Sequence, residues 1–156
     1  MDINRDNIYS LSLNSGRLAL SNNYIKNINL YAHNQTGELS ARVISKDLSV
    51  AGFKVDSTRI NVKGSNNIFQ SRVQLHYDTT GINQTNLYAQ VGFEREGTEI
   101  SIKDSHIGLK GANWNINPSK IRIYDSIIHI DNLNIVNGGQ SLRADGSLSK
   151  TKQDSL

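Results

Sequence analysis

The sequence contains no cysteine, so disulfide staples, thiolate zinc sites and a cysteine nucleophile are excluded, while the redox compartment stays open. A single proline rules out collagen-like and proline-rich linker structure, and aromatic residues amount to only 6%. No stretch approaches the ~20 consecutive apolar residues a membrane helix needs, and Met1-Asp2-Ile3-Asn4 lacks the charged-then-apolar start of a secretory signal. Charge is also sparse. Charged residues make up 20% and hydrophobic residues 37%, both below globular averages, and Asn and Ser fill the gap. The positive excess is small, 17 Lys+Arg against 14 Asp+Glu, and the cations come singly, as at Arg42, Arg59, Arg72, Arg95 and Arg122. Nucleic acid, which calls for a basic run or a basic stripe with stacking aromatics, is not expected as a partner. What remains is an isoleucine-rich chain of 156 residues, a length suited to one folded unit.

Apolar residues recur with a period of two. Phe69, Val73, Leu75 and Tyr77 alternate with Gln70, Arg72, Gln74 and His76, and Leu87, Ala89, Val91 and Phe93 alternate with Tyr88, Gln90, Gly92 and Glu94. Alternate side chains of an extended strand share a face, so each stretch reads as a strand with one apolar and one wet side. The closest helical candidate, residues 17 to 34, is interrupted by Asn22-Asn23 and rich in β-branched side chains, which favours two strands and a turn. The fold class expected is all-β: an elongated, curled, antiparallel-rich sheet of short repeated strands, with residues 1–156 as one segment.

Turn positions follow from arithmetic, because residues facing each other across a two-residue turn have numbers with the same sum as the turn's own. Ser15-Gly16 places Leu13 opposite Leu18 and Leu11 opposite Leu20. Ala51-Gly52 places Val50 opposite Phe53 and Leu48 opposite Val55. Asp104-Ser105 places Ile102 opposite Ile107 and Ile100 opposite Leu109, and Pro118-Ser119 places Ile116 opposite Ile121. Asp125-Ser126 does the same for Ile123 with Ile128 and Ile121 with Ile130, and Gly138-Gly139 for Ile135 with Leu142 and Leu133 with Ala144. Ser-Gly and Gly-Gly suit tight hairpins; Asp-Ser suits them less well, so a site of this kind is equally readable as a corner or kink. The segments 100–109 and 121–130 share the pattern I-x-I-x-D-S-x-I-x-I/L, and repetition at about 20 residues marks architectures in which each unit covers its neighbour's apolar face. The polar drift from Gln140 to Leu156, ending on an apolar residue, reads as a cut within a longer array.

Catalytic and metal-binding candidates are few. Asp104, Ser105 and His106 are adjacent, but strand neighbours point to opposite faces and a triad is assembled in space. His33, His76, His106 and His129 lack metal-ligand spacing, so no metal is expected. Glu94, Glu96 and Glu99 lie in a turn-like run that suits solvent. Gly138-Gly139 with Gly146 fits a hairpin followed by a bulge rather than a phosphate cradle. The Asn-Gln-Thr sequons at Asn34 and Asn83 carry little weight in so Asn-rich a chain. Trp114 shares parity with Ile116, which assigns it to the apolar face rather than to a sugar platform. No enzymatic activity and no cofactor are expected.

The C-terminal third carries a resemblance. Trp114-Asn-Ile116-Asn-Pro118, the isoleucine-rich strand around Ile121 and Ile123, then Asn132-Leu133-Asn-Ile135, Asn137-Gly138-Gly139-Gln140-Ser-Leu142, Asp145-Gly146-Ser-Leu148-Ser149 and Asp154-Ser-Leu156 resemble the TamB translocation and assembly module proteins of the AsmA-like group, in their Bacteroidetes-type form. The resemblance implies a periplasmic segment of a longer protein anchored in the inner membrane, folded as a β-taco with an apolar groove. It implies phospholipid transport between the membranes, support of outer-membrane protein assembly, and a full-length partner of the Omp85 type. No residue role is carried over from it. Parity and resemblance together nominate a lining for phospholipid acyl chains: Leu75, Val91, Phe93, Ile100, Ile102, Ile107, Leu109, Trp114, Ile116, Ile121, Ile123, Ile128, Ile130, Leu133, Ile135 and Leu142. Self-association of the isolated segment is also expected. The alternatives are a right-handed parallel β-helix that binds or processes polysaccharide, and a β spacer whose apolar face is sealed.

Overall fold

In the computed structural model, which describes residues 8–35, 37–77, 84–109, 111–125 and 127–149, twelve strands form one antiparallel sheet. β1 (Tyr9–Leu20), β2 (Asn23–Gln35), β3 (Glu38–Val50) and β4 (Phe53–Ser65) are 12 or 13 residues long, longer than the short strands expected and about 40 Å from end to end. They are followed by β5 (Ile68–His76), β6 (Gln84–Glu94), β7 (Gly97–Ile102), β8 (Ser105–Leu109), β9 (Ala112–Ile116), β10 (Ser119–Tyr124), β11 (Ile127–Asn137) and β12 (Gln140–Ser149). β7 and β8 both pair with β6, β9 with β8, β10 with β7, and β11 with both β9 and β10. β7/β8 and β9/β10 are therefore halves of two bent strands, and the sheet is an up-and-down meander in chain order. Among the described residues there is no helix, and every ladder is antiparallel, which rules out parallel coils. Asn83, Ser126, the terminal Asp154-Ser-Leu156 and the side chain of Leu109 lie outside the described residues.

Three expected reversals are hairpins. Val50 faces Phe53 and Leu48 faces Val55; Ile123 faces Ile128 and Ile121 faces Ile130; Ile135 faces Leu142 and Leu133 faces Ala144. Ala51 and Gly52 have φ of 49° and 83°, the paired positive φ that lets a two-residue turn follow the strand twist. The other three are not turns. Ser15-Gly16 lies inside β1, and the chain reverses after Leu20, which faces Asn23. Asp104 separates β7 from β8 and Pro118 separates β9 from β10, both in mid-strand. Ile102 faces Ala89 and Ser119, and Ile107 faces Thr85 and Trp114. The shared D-S pattern is thus a bend at one site and a hairpin at the other, not a structural repeat.

The physical reason is that a β-bulge, like a two-residue turn, shifts the alternation of side chains by one. One line of bulges crosses the first strands. Asn27 in β2 and Asp47 in β3 have φ of 49° and 57°, and the β2–β3 register slips there and then recovers. A second line crosses Lys103-Asp104, Asn117-Pro118 and Asn132, whose φ is 53°. Here the extra residue of β11 shifts its register on β12. The Asn132 amide donates to Asp145 Oδ1 at 2.9 Å. The amide of Tyr88 donates to Ser105 Oγ at 2.9 Å, and the Ser105 hydroxyl donates to the Lys103 carbonyl at 2.8 Å. Bulges bend the strands that carry them, so these two lines curl the sheet while its apolar residues stay on one side.

Candidate functional site

Residues paired across a ladder share a face, so the register identifies every side chain on the apolar side. β6 is regular throughout and links the two halves. One ridge runs Leu13, Leu30, Val43, Ile60, Val73, Leu87 from β1 to β6. Another runs Phe69, Val91, Ile100, Ile121, Ile130 from β5 to β11. Trp114 stands opposite Ile107, and Ile116 stands between Ser105 and Ile135, with Leu142 beyond. The fifteen nominated residues with described side chains all fall on this one face. Ile116 alone among them is buried; Phe93 and Leu142 are exposed, and the other twelve are half-buried.

Sequence reasoning missed the rows between the ridges. Ala32, Ala41, Val62, Ser71 and Ala89 face one another in turn from β2 to β6. On the other side of the first ridge, Ser45 faces Thr58, Thr58 faces Leu75, and Leu75 faces Thr85. Ser45 is 0% exposed, and Thr58 and Thr85 are also buried, because the aliphatic side chains around them stand taller. The apolar face is therefore corrugated, with rows of mostly small residues, interrupted by Val62 in one and Leu75 in the other, crossing the strands beside ridges of Leu, Val and Ile. At about 4.8 Å per strand, the five-residue row runs for about 20 Å. The small residues Ala32, Ala41, Ser45, Ser71 and Ala89 are visible in the sequence, but their alignment emerges only once the register is known.

The face is not sealed. Among the described residues only Ile28, Val55 and Ile116 are buried apolar side chains, whereas Leu11, Leu13, Leu18, Leu142 and Leu148 stand exposed on the outermost strands. Gly64 is buried directly opposite Phe69, whose ring covers it and meets Phe93 edge-on at 5.7 Å.

The opposite face is polar and laced across the strands. Lys120 and Arg122 reach Glu99 at 3.1 and 3.3 Å, Arg122 also reaches Asp131 at 2.8 Å, and His129 lies between Asp131 and Ser147, each at 2.7 Å. The hydrogen bond from Lys120, then that from Arg122, holds the Glu99 carboxyl below its ordinary pKa. Near the first bulge line Asp47 takes hydrogen bonds from Lys26 and, at 2.9 Å, from the Tyr24 hydroxyl; these lower its pKa, and the bond from Tyr24 raises the pKa of the tyrosine. Of the adjacent trio considered for catalysis, Asp104 is exposed, Ser105 is buried on the apolar face, and His106 is on the polar face, 3.1 Å from Asn86 Nδ2. The three therefore do not converge on one site. Compared with known protein families, characterised proteins and solved structures, the chain matches none.

Proposed function

We propose that this chain is a lipid-conducting segment of the TamB type, working in the periplasm between two membranes, with phospholipid acyl chains lying in the furrows of its apolar face. The observation that carries the reading is the unsealed, corrugated apolar side, which crosses the strands instead of ending in one pocket. A chain of CH₂ groups laid in the Ala32–Ala41–Val62–Ser71–Ala89 furrow gains about 0.8 kcal/mol per buried CH₂. The repeat of similar small and aliphatic residues from strand to strand keeps that gain even along the path, as sliding requires. The C-terminal motif from Trp114 onward adds the family reading, and with it an Omp85-type partner and support of outer-membrane assembly in the full-length protein.

The test is native mass spectrometry of the chain purified without detergent from a bacterial extract. Phospholipid should co-purify with it, and Ala41→Phe with Ala89→Phe, which fills the furrow, should carry several-fold less. A lipid-free wild type, or a filled furrow that carries as much, would overturn the reading.

A further inference from the structure

We infer that the end of the sheet formed by the β1–β2 and β3–β4 hairpins docks on an anionic membrane surface. Both reversals lie at the same end of the meander, and they are tied together: the Ala51 amide donates to Asn23 Oδ1 at 2.8 Å. Their tips present large apolar side chains to solvent, with Leu20 80% exposed and Phe53 56% exposed, and Val50 beside them. Leu18, Ile25 and Leu48 line a shallow apolar hollow of about 220 Å³ behind these tips.

Behind the tips stands a collar of cations. Arg17 faces Lys26, and Lys26 faces Lys46, in one row across β1, β2 and β3. Like charges directly opposite one another repel, and among the described residues of β1 to β4 the acids near this row are Asp47, already engaged by Lys26 and Tyr24, and Asp56. Lys54 follows Phe53 and adds to the positive field felt by Asp47. Arg17 is three residues from Leu20, about 10 Å along the strand. That offset matches an apolar tip seated about 5–10 Å into the boundary between headgroups and acyl chains, with the cations among the headgroups.

Charge is also uneven across the strand order, and the strands that carry the two hairpins are the positive ones. Residues 9–76 carry eight Lys+Arg against three Asp+Glu, whereas residues 84–149 carry six against seven. At the opposite end Glu38, Glu94, Glu96 and Asp125 stand in or beside the turns, against the cations Arg95 and, two residues inside β4, Lys63. Among the described residues, the end with the β1–β2 and β3–β4 hairpins therefore combines exposed apolar tips with a row of cations. A soluble acidic protein would satisfy the cations but not the apolar tips, so a bilayer is the partner that fits both. This docking goes beyond the cargo of the furrows and is independent of it.

The test is flotation of the full chain with phosphatidylcholine vesicles, with and without phosphatidylglycerol. Binding should require the anionic lipid and fall with added salt. Arg17→Glu with Lys54→Glu, which leaves the Lys26–Asp47 pair intact, should lower binding by at least about five-fold per cation removed. Leu20→Ser with Phe53→Ser, both at exposed positions, should lower it several-fold, whereas Ile68→Ser with Ile127→Ser at the opposite end should not. Equal binding to neutral vesicles, unchanged binding by the tip variants, or equal loss from the opposite-end variants would overturn the assignment. A protein that keeps co-purified lipid yet ignores the vesicles would overturn docking and leave the trough reading standing.

Discussion

Truncation of isoleucine at graded depths measures how far the apolar face is open. Ile116 is 7% exposed, whereas Ile121, on the same face and between Ile100 and Ile130, is half-buried. Ile→Ala removes three carbons. At about 0.8 kcal/mol per fully buried CH₂, and with a further cost for the cavity left behind, Ile116→Ala should destabilise by about 3 kcal/mol. At Ile121 roughly half of that surface is already wet and solvent fills the space left, so the loss should be about 1 kcal/mol. With an m-value of about 2 kcal/mol per molar urea, the unfolding midpoint should drop by about 1.5 M in the first case and about 0.5 M in the second. Ile100→Ala and Ile130→Ala, made separately, should follow Ile121. Equal losses of about 3 kcal/mol at all four positions would mean a sealed core, and the reasoning from the open face would fail.

Other outcomes follow from local chemistry. Ala51 holds φ at 49°, a region that a Cβ disfavours by about 1–2 kcal/mol and asparagine tolerates; Ala51→Asn should raise the melting temperature by about 3 °C, and an unchanged or lower value would contradict the turn geometry. Glu99 has its pKa lowered, first by Lys120 and then by Arg122. The unfolded chain therefore takes up the proton first as pH falls, and the stabilisation present above about pH 4 is lost as pH drops through the folded value. Glu99→Gln should flatten the acid limb of a stability–pH curve, and an unchanged limb would remove Glu99 from that role. A Cβ on Gly97 would strike the Ile123 carbonyl on the neighbouring strand, so Gly97→Ala should destabilise by about 1–3 kcal/mol in urea, and a neutral result would contradict the close approach of β7 to β10.

The parity of the apolar residues made the all-β class, the shared face of the nominated residues and three hairpins legible in the sequence. The same parity misplaced Ser15-Gly16, Asp104-Ser105 and Pro118-Ser119, because a bulge and a turn leave the same mark on a one-dimensional pattern. Composition could have helped to separate them. The hairpins at Ala51-Gly52 and Gly138-Gly139 place residues with positive φ side by side or at a glycine, whereas the bulges sit at Asn27, Asp47 and Asn132, residues that tolerate positive φ singly. The furrow of Ala32, Ala41, Ser71 and Ala89 was hidden for a different reason: its members are 9, 30 and 18 residues apart, and only the cross-strand register gathers them. The basic collar was hidden likewise, since Arg17, Lys26 and Lys46 look like scattered cations until β1, β2 and β3 are aligned.

Trp114 is the sole tryptophan of the chain and stands on the apolar face opposite Ile107, so its fluorescence reports directly on what enters the trough. Phospholipid brominated along its acyl chains, added at the level that saturates binding, should quench that emission strongly, whereas the same lipid without bromine should leave it unquenched. Lipid that binds without any quenching from brominated chains would place the acyl tails somewhere other than this face and contradict the account.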